Sequence, residues 1–232
     1  MYLFLLLLFL RALEICYNKT RLNFWRKTVG NFLELVFHRF FLGMLATACF
    51  WLLTLAGGVF FGLAPASATL MSLYAEHGYS YRSYSFKEAW ELYKSNFVKS
   101  NVTFYTFLIV GLVLIYGLYL MVQLPNQTIL HLVATFLNII VVALVFLAYT
   151  VSLKLQVYFE LSYKNTLKLA FIGIFMSLSA MAKVLLGSVL LVIIGYYMPA
   201  LVFFVGIGMW HFFISDLLEP VYESIHEKLA DK

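Results

Sequence analysis

Apolar runs close to twenty residues long, separated by short polar or aromatic-basic stretches, set the layout of this chain. Runs of this length predict membrane-crossing helices, because a 30 Å hydrocarbon core needs about 20 residues rising 1.5 Å each. They place six spans at about residues 40–56, 58–75, 102–124, 128–153, 183–198 and 200–215. Paired in sequence, these give three hairpins with turns near Gly57, Pro125 and Pro199. Residues 1–10, MYLFLLLLFL, are apolar but would reach only ~15 Å as a helix, so they are not expected to span alone. Residues 19–36 follow with Leu22, Trp25, Val29, Phe32, Leu33 and Val36 at helical spacing beside Arg21, Arg26 and Lys27. That pattern predicts a basic interfacial helix leading into the first span. Residues 169–182 are apolar for only fourteen positions before Lys183 and are read as interfacial or partly inserted. The charged tail, 216–232, predicts a short amphipathic helix.

The second run carries Gly58, Gly62 and Ala66 at every fourth position. Read as a helix, this is a face on which another helix can approach closely. Pro65 within it is expected to kink the helix by removing one backbone donor, with Ser67 and Thr69 near enough to satisfy the freed carbonyl. A tightly packed kink and a lined substrate path both fit.

Residues 85–101, SFKEAWELYKSNFVKSN, form the longest water-compatible stretch between strongly apolar regions. As a helix it puts Phe86, Trp90, Tyr93 and Phe97 on one face, with Lys87, Glu88, Glu91 and Lys94 mostly on the other. Ser85 and Glu88 have the spacing of a capping box. The aromatic face can lie on lipid headgroups, pack on the chain's own spans, or dock a partner through Phe86, Trp90, Tyr93 and Phe97 flanked by Lys87 and Lys94. Ser162-Tyr163-Lys164 echoes Ser85-Phe86-Lys87 at an offset of 77 residues, a weak internal repeat in which each motif opens a helix after a span.

Composition agrees with a single membrane domain, preceded by the stretch 1–36 and followed by the tail 219–232. Hydrophobic residues make up 63% of the 232 and charged ones 12%, about half the usual globular share. The net charge of +5 orients spans rather than binding nucleic acid. None of the three expected outer turns holds Lys or Arg, so the basic residues fall on one side, which the positive-inside rule makes cytoplasmic, together with both termini. The two cysteines, Cys16 and Cys49, cannot supply a four-ligand metal site, and no disulfide is expected between them.

The residues Gly62, Pro65, Ala66 and Ala68, followed by Phe86, Lys87, Trp90, Tyr93, Lys94, Asn96 and Phe97, resemble the YesL family of Gram-positive bacterial membrane proteins. The signature covers about forty residues; elsewhere only the arrangement of spans is similar, and the first twenty or so residues exceed what that family usually carries. The resemblance implies a protein without an established activity, encoded beside carbohydrate ABC importers and sugar-responsive sensors, and hence an accessory role in sugar uptake.

The residues themselves show no nucleophile with a neighbouring base, no set at metal spacing and no phosphate-cradling glycine loop, so neither catalysis nor a cofactor is expected. His211 reads as a packed interface residue, and Glu76 and His77 as solvated. No ionisable residue sits at a span centre, and Asn138, Ser67, Thr69 and Ser188 are the polar groups a transport path would have to use. The reading is an all-α, polytopic, non-catalytic accessory protein of the lipid bilayer, with ABC-importer permease subunits as possible partners. The alternative is a stand-alone small-solute carrier or channel.

Overall fold

The computed structural model describes residues 34–124, 128–159 and 161–230. Among these the chain is helical throughout, with no strand. Helix α1 covers Glu34–Ala56. Residues 34–41 are its opening turns and belong to a separate compact unit, Met1–Phe41, while the helices from Leu42 onward pack as a second unit, Leu42–Lys232. There follow α2 (Leu63–His77), a 3-10 turn at Tyr81–Ser83, α3 (Phe86–Gln123), α4 (Ile129–Tyr158) and α5 (Tyr163–Met176). The series ends with α6 (Leu178–Tyr197), α7 (Pro199–Leu217, π-helical over Val202–Gly206) and α8 (Glu219–Ala230).

Among the described residues, five helices are long and apolar enough to cross a membrane: α1, α3, α4, α6 and α7. The second expected span becomes the 15-residue α2, ~22 Å long. Its start moves from Gly58 to Leu63 because the chain first makes a turn in which Gly58 and Val59 have φ of 70° and 61°. Gly58 therefore lies on no helical face. Pro65 does not kink α2: with Gly62 as N-cap it falls in the first turn, where an amide hydrogen has no intrahelical acceptor to lose.

The expected interfacial helix 85–101 and the span 102–124 are one continuous 38-residue helix, α3. Its counterpart in the repeat is interrupted. The helix opened by Tyr163 breaks at Ser177 (φ −146°, ψ 82°), and α6 begins at Leu178 rather than at 183, with the Ser177 hydroxyl accepting from the Ala180 amide. Lys183 then sits exposed on the second turn of α6. The repeat's two starts do coincide with helix starts, since Ser85 and Ser162 are the N-cap residues of α3 and α5. Neither caps through its side chain, so the expected Ser85–Glu88 capping box does not form. The expected turn at Pro125 and the apolar and basic stretches before residue 34 lie outside the described residues.

Two apolar clusters hold the second unit. One joins Leu42, Ala46, Phe50 and Leu53 of α1 to Ala66, Leu70 and Leu73 of α2, Ala89 and Tyr93 of α3, and Phe212 of α7. The other gathers Met71, Phe107, Leu147, Ala148 and Val151 with Ala170, Ile174, Val184 and Ile214, and closes on Leu218, at the end of α7, and on Val221 and Ile225 of the tail helix α8. Away from these clusters, Leu112, Val113 and Ile115 of α3 and Ile129, Leu132 and Phe136 of α4 stand exposed. So do Val189, Val192, Phe203 and Phe204 on α6 and α7. Apolar side chains without protein neighbours on long helices are the surface a lipid phase requires.

Candidate functional site

Sequence order alone brings Ser215, Asp216 and Glu219 together where α7 passes into α8, and each has a partner far away in the chain. Lys154, in the last turns of α4, is 2% exposed. Its Nζ donates to Glu219 Oε2 at 2.6 Å, to the Ser215 carbonyl at 2.9 Å, to Ser215 Oγ at 3.0 Å and to the Tyr158 hydroxyl at 3.2 Å. The Tyr158 ring lies 4.2 Å from the ammonium and that of Tyr222 5.8 Å, so the charge also meets two aromatic faces. Next to it, Asp216 accepts from the hydroxyls of Tyr74 at 2.5 Å and Tyr79 at 2.8 Å. Burial of an ammonium is costly unless it is both paired and hydrogen-bonded, and here it is both.

Glu76 and His77 end α2, and Glu88 lies in the first turn of α3. Across the intervening loop, His77 Nε2 lies 2.7 Å from Glu88 Oε1. Glu76 is held above the usual carboxylate range, first by its hydrogen bond with Glu88, then by partial desolvation and the Glu88 charge. Desolvation pushes Glu88 upward, but the hydrogen bonds from Glu76 and His77 and the charge of His77 outweigh it and bring Glu88 below that range. The two neighbouring carboxyl groups are thus shifted in opposite directions. The loop is fixed by the Tyr84 hydroxyl donating to the Gly78 carbonyl at 2.8 Å, with the Tyr84 ring 5.8 Å from the His77 ring.

The aromatic stripe of α3 turns mostly inward. Tyr93 is 4% exposed within the α1–α2 cluster. Trp90 stacks on it at 5.5 Å and Phe97 meets it edge-on at 5.6 Å, both half-buried. Of the four expected docking anchors only Phe86 is exposed, alongside Lys87 and Lys94, whose Nζ lies 5.3 Å from the Trp90 ring. A partner cannot reach Tyr93 without displacing α1 or α2. Tyr93, with Trp90 and Phe97 packed beside it, belongs to the α1–α2 cluster, and Phe86 stays outside it.

The expected helix-packing residues divide. Gly62 meets α1 so closely that a Cβ would collide with the Thr54 backbone, and Pro65 and Ala66 are buried. A Cβ on Gly58 would meet nothing within 4 Å. The close crossing that sequence reasoning missed joins α1 to α7. A Cβ on Gly208 would lie 2.7 Å from the Gly43 carbonyl, and the Gly208 amide donates to Thr47 Oγ1 at 2.9 Å. The spacing Gly43-x-x-x-Thr47 was the available signal. Further along, the π-helical segment of α7 offers the Phe203 carbonyl to the Trp51 indole at 3.1 Å. Lys154 escaped notice for another reason: it lies one residue past the expected span 128–153, and nothing in the sequence places it against the tail.

Around the turn between α1 and α2, the Asn101 amide donates to the Phe61 carbonyl and Tyr105 to the Phe60 carbonyl, both at 2.9 Å. These two bonds tie the turn to the middle of α3, which continues ~27 Å beyond Tyr105 to Gln123.

Residues 44–118 match the model of the family described as "Protein of unknown function, DUF624", the YesL-type family to which the signature residues pointed. The match contains α2, its loop, the turn at Gly57–Gly62 and most of α3. No curated protein and no solved structure gives a significant match.

Proposed function

We propose that this chain is a non-catalytic, multi-pass subunit of a membrane assembly, and that its partner is the permease of a carbohydrate importer. The observation that carries the first half is the pairing of its buried charge. Lys154 is neutralised by Glu219 and hydrogen-bonded by Ser215 and Tyr158 from the same chain. A substrate-binding cation would be open to a solute, whereas this one ties α4 to α7 and α8. The partner's identity rests on the resemblance to the YesL family.

In this reading the turn carrying Arg82 and the helix starts carrying Lys87 and Lys164 face the cytoplasm, as do both termini. The α3–α4 and α6–α7 hairpins cross and return, and α1 with α2 returns to the side it left. Cysteine substitutions at Gln127 and Lys228 test this in intact cells, with labelling from outside expected at 127 only.

The functional test is purification of the full chain from native membranes in a mild detergent, in parallel with reconstitution of the pure protein into liposomes. Recovery of a carbohydrate permease in stoichiometric amount, with no sugar flux by the chain alone, is the expected result. Flux by the chain alone, with no permease recovered, would establish the carrier instead.

A further inference from the structure

We propose that Glu76, His77 and Glu88 form a site for a divalent first-row transition metal such as Zn2+, which would staple the end of α2 to the start of α3. Each residue offers one ligand atom, and the three atoms lie within 4.8 Å of one another. Two ligands of a tetrahedral zinc stand ~3.3 Å apart at bond lengths of ~2.0–2.1 Å. The 2.7 Å between His77 Nε2 and Glu88 Oε1 needs to open only slightly to admit the ion.

The donor set chooses the metal class. An imidazole with two carboxylates suits zinc and its neighbours, whereas Mg2+ takes oxygen ligands in near-ideal octahedral geometry and keeps its waters. Three protein ligands would leave a fourth position for water, and the partial exposure of all three residues gives the ion a way in.

Two surrounding features favour a cation over the groups merely bonding to each other. One carboxylate oxygen of Glu76 and one of Glu88 lie within 4.8 Å of each other, and two like charges that close are favoured by a positive charge between them. Glu76 and His77 also lie in the last turn of α2, at the negative pole of the helix. Placement is fixed from two directions. The Tyr84 ring flanks His77 while its hydroxyl holds the Gly78 carbonyl, and Ala89 and Tyr93, buried against α1 and α2, anchor the first turns of α3 that carry Glu88. Metal binding here would set the conformation of the 78–85 loop. It does not depend on what the chain's membrane partner is.

Titration of the detergent-purified full chain with Zn2+, read by competition with a chromophoric chelator and by thermal melting, tests the site. One Zn2+ per chain is expected, with a raised melting temperature and little response to Mg2+. His77→Ala and Glu88→Gln should each weaken Zn2+ binding at least tenfold, and His226→Ala should leave it unchanged. Should either variant melt differently without metal, Glu76→Gln provides the reading instead, because that side chain is exposed. Absence of stoichiometric binding, or binding that survives these substitutions, would overturn the proposal.

Discussion

The two ends of α4 meet different surroundings. From Ile129 to Val141 the helix is Leu, Ile, Val, Phe and Ala apart from His131, Thr135 and Asn138, and Ile129, Leu130, Leu132 and Phe136 are exposed. From Leu147 to Gln156 the buried residues include Thr150, Ser152, Lys154 and Gln156. The more apolar end has the fewer protein neighbours. In water this would be inverted, but between lipid and protein there is little to gain by moving a leucine from one to the other, and packing and hydrogen bonds decide instead. At its inner end α4 meets α3 through Gln156 with Ser100 and Lys99, and meets α7 and α8 through Lys154. At its outer end it offers its surface to the solvent it is made for.

If the inner end is held by its paired charge, the largest effect should come from stranding Lys154. Glu219→Ala leaves the ammonium buried with only neutral partners and should cost about 3 kcal/mol in detergent unfolding. Lys154→Met should cost clearly less, because Glu219 is half-exposed and regains water, while methionine fills the space. A reversed order would mean that the carboxylate, not the lysine, is the strained partner. Next come the glycine crossings. Gly208→Leu must push α1 from α7 and should lose on the order of 1–3 kcal/mol. Gly62→Ala should also be poorly tolerated, since the obstruction is the Thr54 backbone rather than a movable side chain. Smaller again is Trp90→Ala, which removes a half-buried stack on Tyr93 and should lower melting by the equivalent of about 1–2 kcal/mol, as expected of internal packing. At the outer end, Leu132→Ala should fall below about 0.5 kcal/mol, because its surroundings are lipid or detergent.

How far the sequence discloses this arrangement depends on the kind of signal. Breaks at Gly57 and Pro199, the start of helices at Phe86 and Tyr163, and the membrane character of the long apolar runs were all legible, since each is a local consequence of backbone or hydropathy. The fate of the 85–101 stripe was not. Periodicity shows that Phe86, Trp90, Tyr93 and Phe97 share a face, but three of them turn toward α1 and α2, and only the fold says what that face meets. Pro65 was misread because a proline's effect depends on its distance from the helix start, which the turn at Gly58 and Val59 shifts by five residues. Glu76, His77 and Glu88 were visible one by one as solvated or capping residues. Their convergence requires the loop between α2 and α3 to close, which spacing in the sequence does not express. Lys154 and Glu219 are 65 positions apart and carry no mutual pattern at all.

The contrast within α4 is most directly measured by labelling it from the lipid phase. Single cysteines placed along residues 129–156 of a background lacking Cys16 and Cys49, in native membranes, would be exposed to a membrane-dissolved thiol probe. Strong labelling is expected at positions 129, 130, 132, 133, 136 and 137, with protection at 148, 151, 152 and 155, where α4 is buried in protein. Strong labelling at 148–155 together with protection at 129–137 would contradict the account, because the outer end would then be the packed one.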